Sequence, residues 1–199
     1  MHTKQALMIF SVGLMSVLLL NSCRRETSLS SEPTPVLSQA PNTTYPMPPL
    51  SSTSGELGWL QSEGDDFQNP GLRRGKIADY KGQVLVLDFY ATWCMPCRES
   101  IPHLNQLQRS LGAQGLRIVG LNVGGADDRV KVPDFARELQ IQYRLGFPDQ
   151  SLTDLFLSDD ASIPQTFVFD REGRLVKRFI GYGPPTAMEL DKAIQSAIS

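Results

Sequence analysis

Two cysteines separated by two residues are the strongest chemical feature of this 199-residue chain. They are Cys94 and Cys97, in the segment Trp93-Cys94-Met95-Pro96-Cys97. If the segment opens a helix, residues three apart lie on one helical face, so the two sulfurs can close a disulfide. The partial positive charge and unpaired N–H groups at a helix N-terminus also stabilise a thiolate, lowering a cysteine pKa from about 8.5. The spacing therefore predicts reversible thiol–disulfide chemistry.

The order of the two cysteines predicts their roles. Cys94 precedes the first full helical turn, so we expect its sulfur to be the exposed one and Cys97 to point inward. Cys94 is then the attacking nucleophile, and Cys97 resolves the mixed disulfide. Met95 and Pro96 lie between them and tune the reduction potential, in a direction that the sequence does not fix.

A Cys-x-x-Cys pair is also half of many zinc sites, which take four ligands. Beyond residues 1–22 the chain contains one histidine, His103, and no second cysteine pair. We therefore expect no metal centre, and no cofactor other than the Cys94–Cys97 disulfide itself.

The surrounding pattern predicts an α/β domain. An almost entirely apolar run at 84–90 predicts a strand buried on both faces, and an amphipathic pattern at 94–111 predicts the helix after it. Further strands are expected at 116–123, 165–170 and 175–180, and further helices at 130–141, 151–157 and 186–198, the last capped by Thr186. This order predicts a central mixed β-sheet flanked by helices.

Asp88 interrupts the apolar strand six residues before Cys94. Burial there raises a carboxyl pKa, which suits general-base work near neutral pH. The alternative is a partly solvated aspartate with no catalytic part.

The N-terminal residues predict export. Residues 6–20 are apolar, but a membrane-spanning helix needs about 20 such residues, so the run is typical of a secretory signal. The sequence Leu-Asn-Ser-Cys at 20–23 resembles a bacterial lipobox, which predicts a signal peptide at 1–22 and lipid on Cys23. An uncleaved anchor and an ordinary Cys23 thiol are the alternatives. All three place the rest of the chain outside the cytoplasm, on the periplasmic face or the outer side of the cell membrane.

Composition divides the remaining chain in two. Residues 23–57 are rich in Ser, Pro and Thr, which predicts a tether, and residues 58–199 have the size of one domain. The net charge is -2 and no cluster of Lys and Arg stands out, so nucleic acid is not an expected partner.

Residues 88–97, DFYATWCMPC, resemble the active-site segment of the thioredoxin superfamily. The Ala-Thr-Trp-Cys start, Glu99 with Pro102, and the apparent lipobox resemble the TlpA/ResA-like extracytoplasmic thiol-disulfide oxidoreductases. Residues 163–173 resemble the family segment that begins with a cis-proline.

The resemblance implies a thioredoxin-like fold with a cis Ile163–Pro164 bond beside the dithiol. It implies that the backbone of Ile163 pairs with an extended substrate segment. Trp93 either flanks that groove or covers the edge of the core. Thioredoxin has a buried carboxylate at the position of Asp88. Several ResA-like proteins have a glutamate near the place that Gly125 occupies here.

The resemblance also implies a function: reduction of disulfides in exported proteins, such as the haem-binding cysteines of apocytochrome c. A membrane thiol-disulfide electron donor would then recharge the dithiol. A disulfide oxidase or isomerase uses the same residues at a higher reduction potential. A copper-handling thioredoxin-fold protein needs a further soft or imidazole ligand, and only His103 is available.

Overall fold

The computed structural model describes residues 57–62 and 72–199. The predicted signal peptide, the lipid site at Cys23 and the tether through residue 56 lie outside the described residues, so they stay predictions. The strands are β1 (Trp59–Ser62), β2 (Leu72–Gly75), β3 (Val84–Tyr90), β4 (Leu116–Asn122), β5 (Arg144–Pro148), β6 (Gln165–Phe169) and β7 (Leu175–Ile180). The helices are α1 (Met95–Leu111), α2 (Ala126–Arg129), α3 (Val132–Glu138), α4 (Gln150–Leu157) and α5 (Pro184–Ile198). In the ranges 57–62 and 72–199, no helix has the length and hydropathy needed to cross a membrane.

The strands form one seven-stranded mixed sheet in the order β2-β1-β5-β4-β3-β6-β7. Strands β3, β4 and β5 run parallel, whereas β6 pairs antiparallel with β3 and β7, and β1 pairs antiparallel with β5 and β2. The predicted α/β fold with a central mixed sheet is confirmed.

Every residue of β3 is buried, as expected of a strand in the middle of a sheet covered on both faces. Because side chains alternate along a strand, Val84, Val86 and Tyr90 enter one core, which contains the buried residues of α1 and α5. The residues between them, Leu85 and Leu87 among others, enter a second core with the buried side chains of α4. Strand β3 ends at Tyr90, and α1 begins after the four residues that follow it.

The helix predicted at 130–141 is present but shorter, since α3 covers only Val132–Glu138 of that range. A separate short helix, α2 at Ala126–Arg129, lies before it and was not predicted. Pro133 lies in the first turn of α3, where a missing N–H costs no helical hydrogen bond.

Other elements also differ from the prediction, since strands β1 and β2 were not predicted. Strand β5 was not predicted, because its Gly146 and Pro148 are residues that strands usually exclude. Helix α5 begins at Pro184, with Gly183 and not Thr186 as the N-cap, since proline is favoured in the first turn of a helix.

Candidate active site

The cysteine pair lies where the central strand passes into the first helix. Cys94 is the N-cap of α1, and its Sγ is bonded to that of Cys97 at 2.05 Å. The backbone N–H of Cys97 donates to Cys94 Sγ at 3.2 Å. The sulfur of Cys94 therefore occupies the position of a helix-capping acceptor, where N–H groups and the helix dipole favour negative charge.

The two cysteines differ in exposure, while their neighbours are open to solvent. Cys94 keeps 5% of its surface accessible and Cys97 keeps none. Trp93 and Met95 are 64% and 62% exposed. Large apolar side chains exposed beside a reactive group form a surface to which another protein can bind.

The loop before β6 lies against the disulfide. The Ile163–Pro164 peptide bond is cis, as the resemblance predicted, and the carbonyl oxygen of Ile163 is 3.7 Å from Cys94 Sγ. Cys94 lies about 70 residues before Ile163 and Pro164 in the chain. The three residues come together because β3, which precedes Cys94, pairs with β6, which follows Pro164.

A buried amide and an arginine hold this loop in place. Gln165 Nε2 donates to the carbonyl oxygens of Asp160 and Ser162, at 2.6 and 2.9 Å. Arg178 on β7 donates from Nε to Gln165 Oε1 at 2.8 Å and from Nη1 to Asp159 Oδ2 at 2.7 Å. The residues preceding the cis-proline are therefore anchored to the sheet.

Asp88 lies in β3, six residues before Cys94 in the chain, and is 1% exposed. Thr166 Oγ1 on β6 donates to Asp88 Oδ1 at 2.9 Å, while Asp88 Oδ2 is buried without a hydrogen-bond partner. Burial raises the pKa of Asp88 from an ordinary 3.8 to about 7, against the hydrogen bond from Thr166, which lowers it. A carboxyl with a pKa of about 7 can both accept and donate a proton near neutral pH.

A second carboxylate, Asp128, was not predicted from the sequence. It is buried in α2, and Oδ2 accepts from the Thr92 N–H at 2.9 Å and from Asn122 Nδ2 at 2.8 Å. The Thr92 hydroxyl donates to Asp128 Oδ1. Burial alone would raise the pKa of Asp128, but the hydrogen bonds from Asn122 and Thr92 bring it below its ordinary value. The charged carboxylate therefore fixes the backbone two residues before Cys94.

Gly124 makes room for this arrangement. A Cβ at Gly124 would lie 2.2 Å from Asp128 Oδ2, so the loop after β4 must carry glycine there. The signal available in the sequence was general: parallel strands β3 and β4 end at the same edge of the sheet, so the residues after them meet.

Replacing Asp128 with alanine should destabilise the protein by roughly 2–4 kcal/mol, because it leaves the N–H and O–H of Thr92 and the Asn122 amide without their acceptor. The neighbouring Asp127→Ala, at an exposed position, is the matched control and should change stability by less than about 0.5 kcal/mol. Chemical denaturation of the oxidised proteins measures both. Equal stabilities for the two variants would contradict the assignment of Asp128 as the anchor of this turn.

His103 is engaged away from the cysteines. Its Nε2 is 2.8 Å from Asp191 Oδ1 on α5, and its ring lies 6.2 Å from that of Tyr182. Among the residues that the structure describes, no three His, Cys, Asp or Glu side chains come together in a metal-binding arrangement.

The fold and the site define a thioredoxin-like protein: a Cys-x-x-Cys pair at the start of the helix after the central strand, with a cis-proline loop against it. The chain belongs to the AhpC/TSA family, which it matches over residues 61–178.

Known proteins with the same architecture support this assignment. The chain is 32% identical over 130 residues to the thiol-disulfide oxidoreductase ResA of Bacillus subtilis, covering 60% of this chain and 68% of that protein. A structure described as a thiol:disulfide interchange protein DsbE from Chlorobium tepidum has a TM-score of 0.59 and 25% identity, covering 71% of this chain and 94% of that one. A DsbF homologue from Corynebacterium diphtheriae has a TM-score of 0.54 and 27% identity, covering 71% of this chain and 88% of that one. The chain is accordingly a protein disulfide oxidoreductase of the thioredoxin-like class.

Proposed function

We propose that this protein reduces disulfides in exported proteins. The observation that carries the proposal is the Cys94–Cys97 pair at the N-terminus of α1, with the Ile163 carbonyl 3.7 Å from Cys94 Sγ. In the reduced protein, Cys94 is the nucleophile: its thiolate attacks a partner disulfide and forms a mixed disulfide, releasing one partner sulfur as a thiolate.

Asp88 is suited to the resolving step of this reaction, in which Cys97 must lose its proton before it attacks Cys94 Sγ. The reduction potential of the pair sets the direction. Cys97 is fully buried and so needs a base within the protein, and a carboxyl whose pKa is about 7 suits that task. Asp88 takes the proton, Cys97 attacks Cys94 Sγ, and the partner leaves reduced while the Cys94–Cys97 disulfide forms.

The surface around the disulfide supports binding of an extended segment. Pro164 in its cis form turns the backbone of Ile163 toward Cys94, leaving that backbone available to pair with a substrate strand. The exposed Trp93 flanks the same place, and Met95 and Pro96 adjust the potential of the pair. The disulfide itself is the only redox group that this reaction requires.

The same proposal includes the setting of the protein. Cleavage after residue 22 and lipid on Cys23 anchor it outside the cytoplasm, and a membrane thiol-disulfide electron donor returns it to the dithiol form. Apocytochrome c is the substrate class that the ResA-like resemblance favours.

The reduction potential of the Cys94–Cys97 pair tests the direction. Full-length protein is equilibrated with glutathione or dithiothreitol buffers, and free thiols are trapped and counted. We expect a value near that of thioredoxin, about -270 mV. A value near about -120 mV would make the protein a disulfide donor and remove the cytochrome proposal. The absence of any reversible two-thiol couple would refute both directions.

A further inference from the structure

The two oxygens of the Asp88 carboxyl have different surroundings. Oδ1 accepts a hydrogen bond from the Thr166 hydroxyl at 2.9 Å, and Oδ2 is buried with no partner. No other side chain in the described part of the chain donates to this carboxyl. A single hydroxyl therefore distinguishes the two oxygens.

The sheet itself sets the position of this hydroxyl. Asp88 and Thr166 are directly opposite each other in the antiparallel pair β3–β6, and both are buried. Opposed residues in such a pair have their Cβ atoms about 5 Å apart on the same face, which is the reach of a threonine-to-aspartate hydrogen bond. Thr166 also lies two residues after Pro164, so the strand that positions the cis-proline loop also positions the hydroxyl.

We propose that Thr166 is a positioning residue that favours the ionised form of Asp88 and directs its proton to Oδ2. This inference rests on the proposed function. In the resolving step, Cys97 S–H gives its proton to Asp88 Oδ2 and the sulfur electron pair forms the bond to Cys94 Sγ. The bond between Cys94 and the partner breaks, and the partner thiolate leaves and takes a proton from solvent. No oxidant or reductant other than the two proteins is consumed.

The other ionisable groups near Asp88 do not take over this task. Burial raises the pKa of Tyr90 on the same strand and of Tyr143 before β5, so both phenols stay neutral. Asp128 keeps a pKa below its ordinary value and stays charged. Strand β4 places Gly120 opposite Asp88, and the buried side chains of α5 are apolar. The hydroxyl of Thr166 is thus the neighbouring group whose removal should change the pKa of Asp88 directly.

The test compares Thr166→Val, which keeps the shape and loses the hydroxyl, with Thr166→Ser, which keeps the hydroxyl. The carboxyl carbons of aspartate are labelled with carbon-13 in the full-length protein, and Asp88→Asn identifies the signal of Asp88. We expect the pKa of Asp88 to rise by about one unit in Thr166→Val, since one hydrogen bond to the ionised form is lost, and to stay near the wild-type value in Thr166→Ser. The pH midpoint of mixed-disulfide resolution should rise with it.

A folded Thr166→Val protein in which the pKa of Asp88 is unchanged would overturn the inference. So would a Thr166→Val protein in which that pKa rises while the pH midpoint of mixed-disulfide resolution stays at the wild-type value. The carboxyl signal reports ionisation whether or not the protein reduces any partner. A failure of the proposed function would instead appear as an absence of disulfide exchange in the wild-type protein.

Discussion

Replacing Cys97 with serine is expected to leave the protein covalently joined to its partners, because Cys94 still attacks but nothing resolves the mixed disulfide. Replacing Cys94 with serine should reduce disulfide exchange by roughly three orders of magnitude or more, since the nucleophile itself is lost. The geometry assigns these roles: Cys94 is the helix N-cap with accessible surface, and Cys97 is fully buried behind it. Gel electrophoresis under non-reducing conditions and the rate of insulin reduction measure the two effects.

The double variant Cys94→Ser/Cys97→Ser is the control, because it retains Cys23. Any adduct that it forms reports on Cys23 alone, and a lipid-modified Cys23 forms none. Adducts on the Cys94→Ser protein in place of the Cys97→Ser protein would reverse the assignment of nucleophile and resolving thiol.

The local part of this site could be predicted from the sequence. A run of apolar residues at 84–90 can only be a buried strand or a buried helix segment, and the amphipathic pattern after it marks the helix that Cys94 begins. Asp88 stands out because burying a carboxylate in such an apolar run is energetically unfavourable unless the carboxylate is paired or protonated. Strand, turn and helix are all specified within 30 residues, so the sequence determines their order without reference to the rest of the fold.

The long-range part could not be predicted in this way. Thr166 contacts Asp88 across 78 residues, and only the register of β3 with β6 brings them together. Asp128 reaches Thr92 because β3 and β4 end at one edge and because Gly124 leaves space, neither of which is visible as a spacing. The short helix α2 left no periodic signal in the sequence, because Asp128 is the only buried residue among its four.

Asp88→Asn is expected to slow the protein and stabilise it at the same time. The variant cannot accept the proton of Cys97, so the resolving step should slow by about 100-fold or more near neutral pH. The substrate-trapping step at Cys94 does not need this base and should change far less. A stopped-flow comparison of formation and decay of the mixed disulfide separates the two steps, and equal slowing of both would argue against Asp88 as the base.

The stability effect follows from the sign of the pKa shift. In the folded protein the pKa of Asp88 is about 7, above the ordinary 3.8 that applies once the chain unfolds. The folded state therefore holds a proton that the unfolded state has released. The contribution of Asp88 to the stability is therefore full below about pH 4, falls as the pH rises toward 7, and levels off above that pH.

The gap between the two pKa values corresponds to about 4 kcal/mol, and asparagine, which does not ionise, is free of it. Asp88→Asn should thus exceed the wild type in stability by a few kcal/mol at pH 8, and the difference should shrink on going to pH 4. Thr166 donates to this carboxyl and opposes the shift, so the stability of the Thr166→Val protein should go on falling to a higher pH than that of the wild type. Denaturation curves at pH 4, 6 and 8 measure these differences, and a stability difference between Asp88→Asn and the wild type that is the same at all three would show that Asp88 does not carry a raised pKa. Burial destabilises the charged form of Asp88, and the same burial raises the affinity of the carboxylate for a proton. The expected loss of rate and the expected gain of stability in Asp88→Asn therefore have one cause.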